Sequence, residues 1–326
     1  MNKLYPLKFS PIVKEKIWGG EKLKNVLNKR YAGDNTGECW EISTVKDNIS
    51  VVSEGFLAGN NLQELIEVYM GDLVGDKVFE KFGLEFPLLI KFIDADDDLS
   101  IQVHPDDKTA RERHDSFGKT EMWYVLESDP GAELISGFKK ELSKGEYIDA
   151  LASGKLKEIL NYEKVEEGDV FFMPAGRVHA IGSGILLTEI QQTSDVTYRI
   201  YDWDRKDTEG KSRALHTDLA LDVIDFKNHS DYRTNYKKTL NKTVNIGECQ
   251  YFSTNLIHFD KAVEKDFNFI DSFIIYICTS GKVNILTSEG QKTLIQKGES
   301  ILIPAEIKNL ILIPEAKSKV LEVHMP

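Results

Sequence analysis

The chain has 326 residues, enough for one large or two ordinary domains, and its 41% apolar and 29% charged content is that of a globular protein with a sizeable core. A formal charge of −12 argues against nucleic acid as a partner, and the apolar runs are too short and interrupted to cross a bilayer. The start, M-N-K-L-Y-P-L-K-F-S-P, has no apolar signal core, and Cys39, Cys249 and Cys278 form no C-x-x-C pair, so a reducing, cytoplasmic setting is expected.

In chain order, residues 62–82 carry apolar side chains at helical spacing, with Gly71 and Gly75 as points of division. Residues 99–107, L-S-I-Q-V-H-P-D-D, alternate as a strand. Leu99, Ile101 and Val103 take the packing face, so Ser100, Gln102 and His104 must face something polar. A glutamine and a histidine two apart on one strand can reach one ion together. His114, in a polar helical run, has the default reading of a solvated or core histidine, as do His229, His258 and His324. Residues 119–126, K-T-E-M-W-Y-V-L, read as another strand with Lys119 and Glu121 on a shared face. Residues 141–160 are spaced as a helical insertion, with Gly145 and Gly154 as breaks.

Residues 168–179, G-D-V-F-F-M-P-A-G-R-V-H, are the most informative stretch. Val170, Phe171 and Phe172 favour a strand. Pro174 and Gly176 then turn the chain, because proline fixes φ and glycine permits positive φ. His179 is thereby delivered at the start of a second strand, H-A-I-G-S-G-I-L-L-T-E-I, and a rigid turn can aim it inward. Gln102, His104, Glu121 and His179 form a candidate metal set of two imidazole nitrogens and two oxygens. That set suits one zinc ion with a position left open, although iron or manganese could use it too. Beyond it, residues 213–226 are spaced as an amphipathic helix, and the polar run from Asn228 reads as a linker.

An internal repeat organises the rest. Residues 165–181 and 295–311 align without a gap over the glycine, the acidic residue after it, the apolar run and the Pro-Ala pair. The second copy has Glu306 where the first has Gly176, and Asn309 where the first has His179. The expected fold is mainly β, with two jelly-roll barrels and helical insertions in and around the first. Residues 1–238 would form the metal-binding catalytic domain, and residues 239–326 a degenerate copy without ligands.

The turn delivering His179 resembles the second motif of the cupin barrels. The combination F-P-L-L-I-K-F-I-D-A, L-S-I-Q-V-H-P-D-D, K-T-E-M-W-Y-V-L, P-A-G-R-V-H-A-I and E-I-Q-Q-T-S-D-V-T-Y-R-I-Y-D-W-D-R resembles type I mannose-6-phosphate isomerases, most closely the short bacterial form. The N-terminal W-G-G and G-E-C-W-E-I-S agree, so the likeness spans nearly the whole chain. It implies a zinc enzyme that interconverts mannose 6-phosphate and fructose 6-phosphate through an enediol, with Gln102, His104, Glu121 and His179 as ligands. The family's catalytic arginine falls on Arg199, and other active-site positions on Ser100, Lys119, Glu189 and Asp195. On spacing alone Arg199 reads as a strand arginine paired with Asp195 or Asp202; the resemblance assigns it to catalysis. Glu189 is the candidate general base, with a metal-bound hydroxide as rival. Ser100, Lys119 and Arg205 are the expected phosphate contacts, with Asp195 also at the substrate. Arg205 stands where longer members carry a lysine, which keeps a cation but alters its geometry. Two alternatives are an iron-dependent cupin oxygenase and a sugar-binding cupin without turnover. The partner in all but the oxygenase reading is a small sugar, phosphorylated in the isomerase reading.

Overall fold

The computed structural model describes residues 3–206, 209–229 and 231–326. The protein is mainly β, and its strands form four large antiparallel sheets, none closed on itself. The first sheet runs, in spatial order, Ile12–Gly20, Thr36–Ile42, Leu88–Ala95, Ile185–Gln192, Glu121–Ser128, Val170–Met173. The second runs Tyr198–Tyr201, Ile101–Val103, His179–Ala180, Glu133–Phe138, Leu160–Lys164. Trp123, Val125 and Phe171 of the first sheet share an apolar cluster with Leu134 of the second, so their inner faces pack together. The third sheet (Lys242–Glu248, Ser253–Phe259, Ser318–His324, Ile274–Ser280, Ser300–Ile303) faces the fourth (Val263–Asp266, Asn309–Pro314, Lys282–Thr287, Lys292–Gln296) in the same manner.

Strand alternation gives each sheet two jobs. In the first sheet, Ile90, Phe92, Met122, Tyr124, Leu186 and Ile190 point outward and join Leu256, Ile275, Ile277, Leu302, Leu321 and Val323 of the third sheet in one apolar cluster. The N-terminal segment reinforces this seam, because Leu7 exchanges backbone hydrogen bonds with Leu302 (2.8 and 2.9 Å). The outer face of the second sheet is covered by the helices Lys144–Ala152 and Leu156–Ile159, whose Tyr147 and Leu156 pack on Ile101, Val103 and Tyr198.

The repeat seen in the sequence is also a repeat of backbone hydrogen bonds. Gly168 N–H donates to Val125 O and Val125 N–H to Asp169 O, both at 2.9 Å. Gly298 N–H donates to Cys278 O and Cys278 N–H to Glu299 O, again both at 2.9 Å. Strand register then aligns the ligand positions. Glu121 faces Met173 as Ile274 faces Ile303, and His179 faces Gln102 as Asn309 faces Asp266. The second interior is filled by Ile257, Phe259, Tyr276, Ile285 and Ile295, with an isoleucine where the first holds Glu121.

Three expectations are corrected. Residues 213–226 are not one helix; only Thr217–Leu221 is helical. Tertiary hydrogen bonds outweigh the helical spacing on both sides: His216 N–H donates to Arg199 O (2.7 Å), and Asp225 N–H donates to Gly176 O (2.8 Å). The strand expected from His179 onward is two strands, His179–Ala180 in the second sheet and Ile185–Gln192 in the first. Gly182 and Gly184 allow the crossing: a Cβ on Gly182 would meet Glu133 O at 1.9 Å, and Gly184 has φ +83°. The strand expected from Lys119 begins at Glu121. The segment 62–82 does divide, with helices Leu62–Val74 and Asp76–Phe82 either side of Gly75 (φ +96°). Gly154 ends the Lys144–Ala152 helix as expected, whereas Gly145 lies inside it. Among the described residues no helix is long and apolar enough to cross a membrane.

Candidate functional site

Two rows of side chains face each other between the first and second sheets. Across the second sheet, Arg199, Gln102 and His179 are directly opposed on adjacent strands. Directly opposed residues share a face and bring their side chains together. Across the first sheet the matching row is Trp40, Lys91, Glu189 and Trp123. His104 follows the Ile101–Val103 strand, and Glu121 opens the Glu121–Ser128 strand.

His104, Glu121 and His179 are all buried and each offers a ligand atom within 4.8 Å of the others. His104 Nδ1 lies 3.0 Å from Val196 O and His179 Nδ1 lies 2.9 Å from Arg177 O. A carbonyl only accepts, so Nδ1–H donates in both rings and Nε2 keeps its lone pair. This is the tautomer that binds metal through Nε2 with an outer carbonyl fixing the ring. Burial, then Lys119, holds His104 well below the ordinary histidine range, and burial lowers His179 to about 3. Both imidazoles are therefore neutral at physiological pH. His179 Nε2 and Glu121 Oε1 are buried and accept no hydrogen bond among the described residues. Burial, reinforced by Glu189 and opposed by Lys119, raises the Glu121 carboxyl to about 7. Lys119 Nζ lies 2.8 Å from Glu121 Oε2 and donates to His104 Nε2 at 3.2 Å. A cationic group already settles against two of the three side chains. Orphaned buried acceptors, neutral imidazoles and an attracted cation fit a divalent metal.

Beside the trio, and joined to it through Lys119, lies a cleft of about 310 Å³ lined in part by Ser100, Gln102, Lys119, Glu189, Asp195 and Arg199. The structure thus brings together nine of the ten residues singled out from the sequence. Arg205 is the exception. It is absent from the lining, and its guanidinium is engaged by Asp202 Oδ1 (2.7 Å), Asp98 O (2.6 Å) and Asp97 Oδ2 (3.2 Å). Arg199 pairs with neither Asp195 nor Asp202 within 4 Å among the described residues; its NH1 donates to Ala214 O (2.9 Å) and its buried Nε has no partner.

Sequence reasoning missed Lys91, Arg213, Lys16 and Glu38, which also line the cleft. Lys91 is 4% exposed, and its Nζ lies 3.1 Å from Glu189 Oε1 and 3.9 Å from Glu38 Oε2. Burial disfavours its charge, yet the two carboxylates hold its pKa above the ordinary lysine value. Trp123 Nε1–H donates to Glu189 Oε2 at 2.9 Å. Burial would raise the Glu189 carboxyl, but Lys119, Lys91 and Trp123 reverse this and bring it down to about 2. A signal for Lys91 was present: it is the one charge inside the apolar run L-L-I-K-F-I. The lining carries five cations (Lys16, Lys91, Lys119, Arg199, Arg213) against three carboxylates (Glu38, Glu189, Asp195), in a chain of net charge −12.

Fold and site together define a mainly β protein with a buried His–Glu–His trio beside a cleft rich in cations. Residues 6–131 match the model of the phosphomannose isomerase type I catalytic domain, and residues 241–320 that of the mannose-6-phosphate isomerase cupin domain. Mannose-6-phosphate isomerase ManA of Bacillus subtilis is 41% identical over 254 residues, covering 76% of this chain and 78% of its own. The mannose-6-phosphate isomerase of Streptococcus mutans is 42% identical over 219 residues, 67% of each chain. Among solved structures, a mannose 6-phosphate isomerase from Bacillus subtilis superposes with a TM-score of 0.88 at 31% identity, covering 98% of this chain and 100% of that one. A putative mannosephosphate isomerase from Archaeoglobus fulgidus shares the fold (TM-score 0.78, 21% identity, 98% of each chain). The chain belongs to the type I phosphomannose isomerase family, whose members are aldose–ketose isomerases.

Proposed function

We propose that this chain interconverts mannose 6-phosphate and fructose 6-phosphate, with one zinc ion held by Gln102, His104, Glu121 and His179. The observation that carries the reading is the trio of buried ligand atoms lying within 4.8 Å of one another, beside a cleft whose lining holds five cations against three carboxylates. An acidic chain has no reason to gather five cations unless its ligand is an anion. The repeat in register supports two cupin units, residues 1–238 and 239–326, with ligands in the first alone. Three unpaired cysteines support a reducing, cytoplasmic setting.

The reaction moves a proton between neighbouring carbons and builds negative charge on oxygen. A divalent cation bound at the trio supplies Lewis-acid stabilisation of that charge, typically several kcal/mol. The remaining steps belong to the chain. Val196 O and Arg177 O keep the two imidazoles aimed, so the site needs little reorganisation when substrate enters. Arg199, with an unpartnered buried Nε, is a fixed cation for the developing oxyanion. Glu189 is ionised, as a proton acceptor must be, with Lys91 Nζ 3.1 Å from its Oε1. Its low pKa limits its strength as a base, and approach of the substrate toward Lys91 and Lys119 is what would raise it. Ser100 and Asp195 line the cleft as a hydroxyl donor and a carboxylate acceptor for sugar hydroxyls.

The test is a coupled assay for fructose 6-phosphate formed from mannose 6-phosphate. Activity should vanish with chelator and return with zinc. Turnover that survives complete metal removal would sink the reading, and oxygen uptake without isomerisation would favour the oxygenase alternative.

A further inference from the structure

We infer that Arg213 is the residue that receives the substrate's phosphate, with Asp202 as its positioning residue and Arg205 as a brace for Asp202. This rests on the proposed isomerase function and assigns a part of the same cleft. Lys16 faces Glu38 at 2.9 Å, Lys91 faces Glu189 at 3.1 Å, and Lys119 faces Glu121 at 2.8 Å. Each of these lysines has a carboxylate to itself or first in reach. The two arginines differ: Arg199 has no carboxylate within 4 Å among the described residues, and Arg213 shares one carboxylate with Arg205.

The geometry of that sharing is specific. Asp202 is 5% exposed and takes Arg213 on two atoms, with Nε–H donating to Oδ2 (2.7 Å) and NH2 donating to Oδ1. This fork fixes the plane of the guanidinium. NH1, on the far side, donates to nothing among the described residues, and Arg213 lines the cleft. Arg205 is held on three acceptors away from the lining, so it secures Asp202 rather than reaching a ligand. Arg199 NH1 donates to Ala214 O, the carbonyl next to Arg213, which sets the two guanidiniums at one end of the cleft. Of the neighbouring charges, that of Arg213 acts most strongly against the charge of Arg199. Two guanidiniums held together with one free edge call for a doubly charged planar-faced acceptor, which a phosphate monoester provides. The Ser100 and Thr197 side chains line the same cleft and can add hydroxyl donors.

The placement also suits the length of the substrate. From His179 through Gln102 to Arg199 is two strand spacings, roughly 10 Å, with Arg213 at the far end. A sugar lying along this row puts its carbonyl end at the trio and its 6-phosphate at the arginines.

The experiment compares the metal-loaded wild type with Arg213→Gln and Arg213→Lys. Loss of one charge-assisted contact should raise KM for mannose 6-phosphate and lower kcat/KM by about ten- to a hundredfold, with kcat changed much less. Inorganic phosphate, followed by calorimetry and as a competitive inhibitor, should weaken by a similar factor. The lysine variant should lie between the two, because it keeps the charge but loses the fork. Metal content and thermal midpoint check folding, and if the glutamine variant does not fold the lysine variant alone carries the comparison. Unchanged KM and unchanged phosphate affinity in a folded variant overturn the inference. A wild type that binds phosphate but never turns over mannose 6-phosphate overturns the proposed function instead, and phosphate binding by the variants still decides the role of Arg213.

Discussion

Replacing Lys91 with methionine isolates the electrostatics of the site from its metal. Methionine fills the space of the lysine stem without its ammonium, so Glu189 loses a cation 3.1 Å away and Glu38 one at 3.9 Å. Two routes give the size of the effect. Breaking a buried ion pair by removing one partner costs about 3–5 kcal/mol. The second route bounds it: Glu189 is lowered from 4.5 to about 2 by Lys119, Lys91 and Trp123 together against burial, and at about 1.36 kcal/mol per pH unit the whole depression is about 3 kcal/mol, of which Lys91 carries a share. The sign follows from the direction of the shift. A depressed carboxyl stabilises the fold above its unfolded value near 4.5, and that contribution is lost as pH falls toward 2. Urea melts should be run in chelator, because acid also strips metal from histidine. At pH 7.5 and pH 5.0 the variant should be less stable than wild type by about 3 kcal/mol, and by pH 3.5 the gap should be closing. A double-mutant cycle with Glu189→Gln should return most of that energy as coupling. A gap under about 1 kcal/mol, or one that widens toward acid, would refute the charge-pair account.

The other predictions concern ligands, turn and copy. His104→Ala and His179→Ala should each lose bound metal and isomerase activity together; elemental analysis beside the coupled assay checks this, and activity persisting without metal would count against the trio. Gly176→Ala should destabilise the fold by more than about 1 kcal/mol, because Gly176 has φ +88° and the new Cβ would meet Val223 O at 2.8 Å; thermal melts measure it, and metal affinity should fall as the turn shifts His179. Asn309→Ala should leave kcat and KM unchanged, since the second interior presents Ile274 and Asn309 where the first has Glu121 and His179. A fall in activity there would show that the second half touches the chemistry.

What could be read from the chain beforehand was local. The alternation at 99–107 did place Gln102 and His104 on the inner face, and the Pro174–Gly176 turn did deliver His179 beside Gln102. The gapless repeat reappeared as matched hydrogen bonds around Val125 and Cys278. What could not be read depends on partners distant in sequence. The helical spacing of 213–226 was real, but backbone pairing with Arg199 and Gly176 held most of that segment in other conformations. Arg205 and Arg213 look alike in sequence; only the placement of Asp202, Asp97 and Asp98 separates the one turned into the cleft from the one tied behind it. The hold of Lys91 and Trp123 on Glu189 comes from adjacent strands that are far apart in sequence. The second copy keeps that arrangement without ligands: Tyr276 O–H donates to Glu322 Oε2 at 2.7 Å, and Asn255 Nδ2 donates to Glu322 Oε1 at 3.3 Å.

The seam between the first and third sheets decides what evolution can discard. Phe92, Tyr124, Leu186 and Ile190 share one apolar cluster with side chains of the third sheet and of the N-terminal segments. Shortening the chain at residue 238 would uncover a broad oily wall and invite aggregation long before it touched the catalytic interior. With Ile274 and Asn309 where the first half has Glu121 and His179, the C-terminal half still backs the first sheet, and cutting it away would expose that face to water.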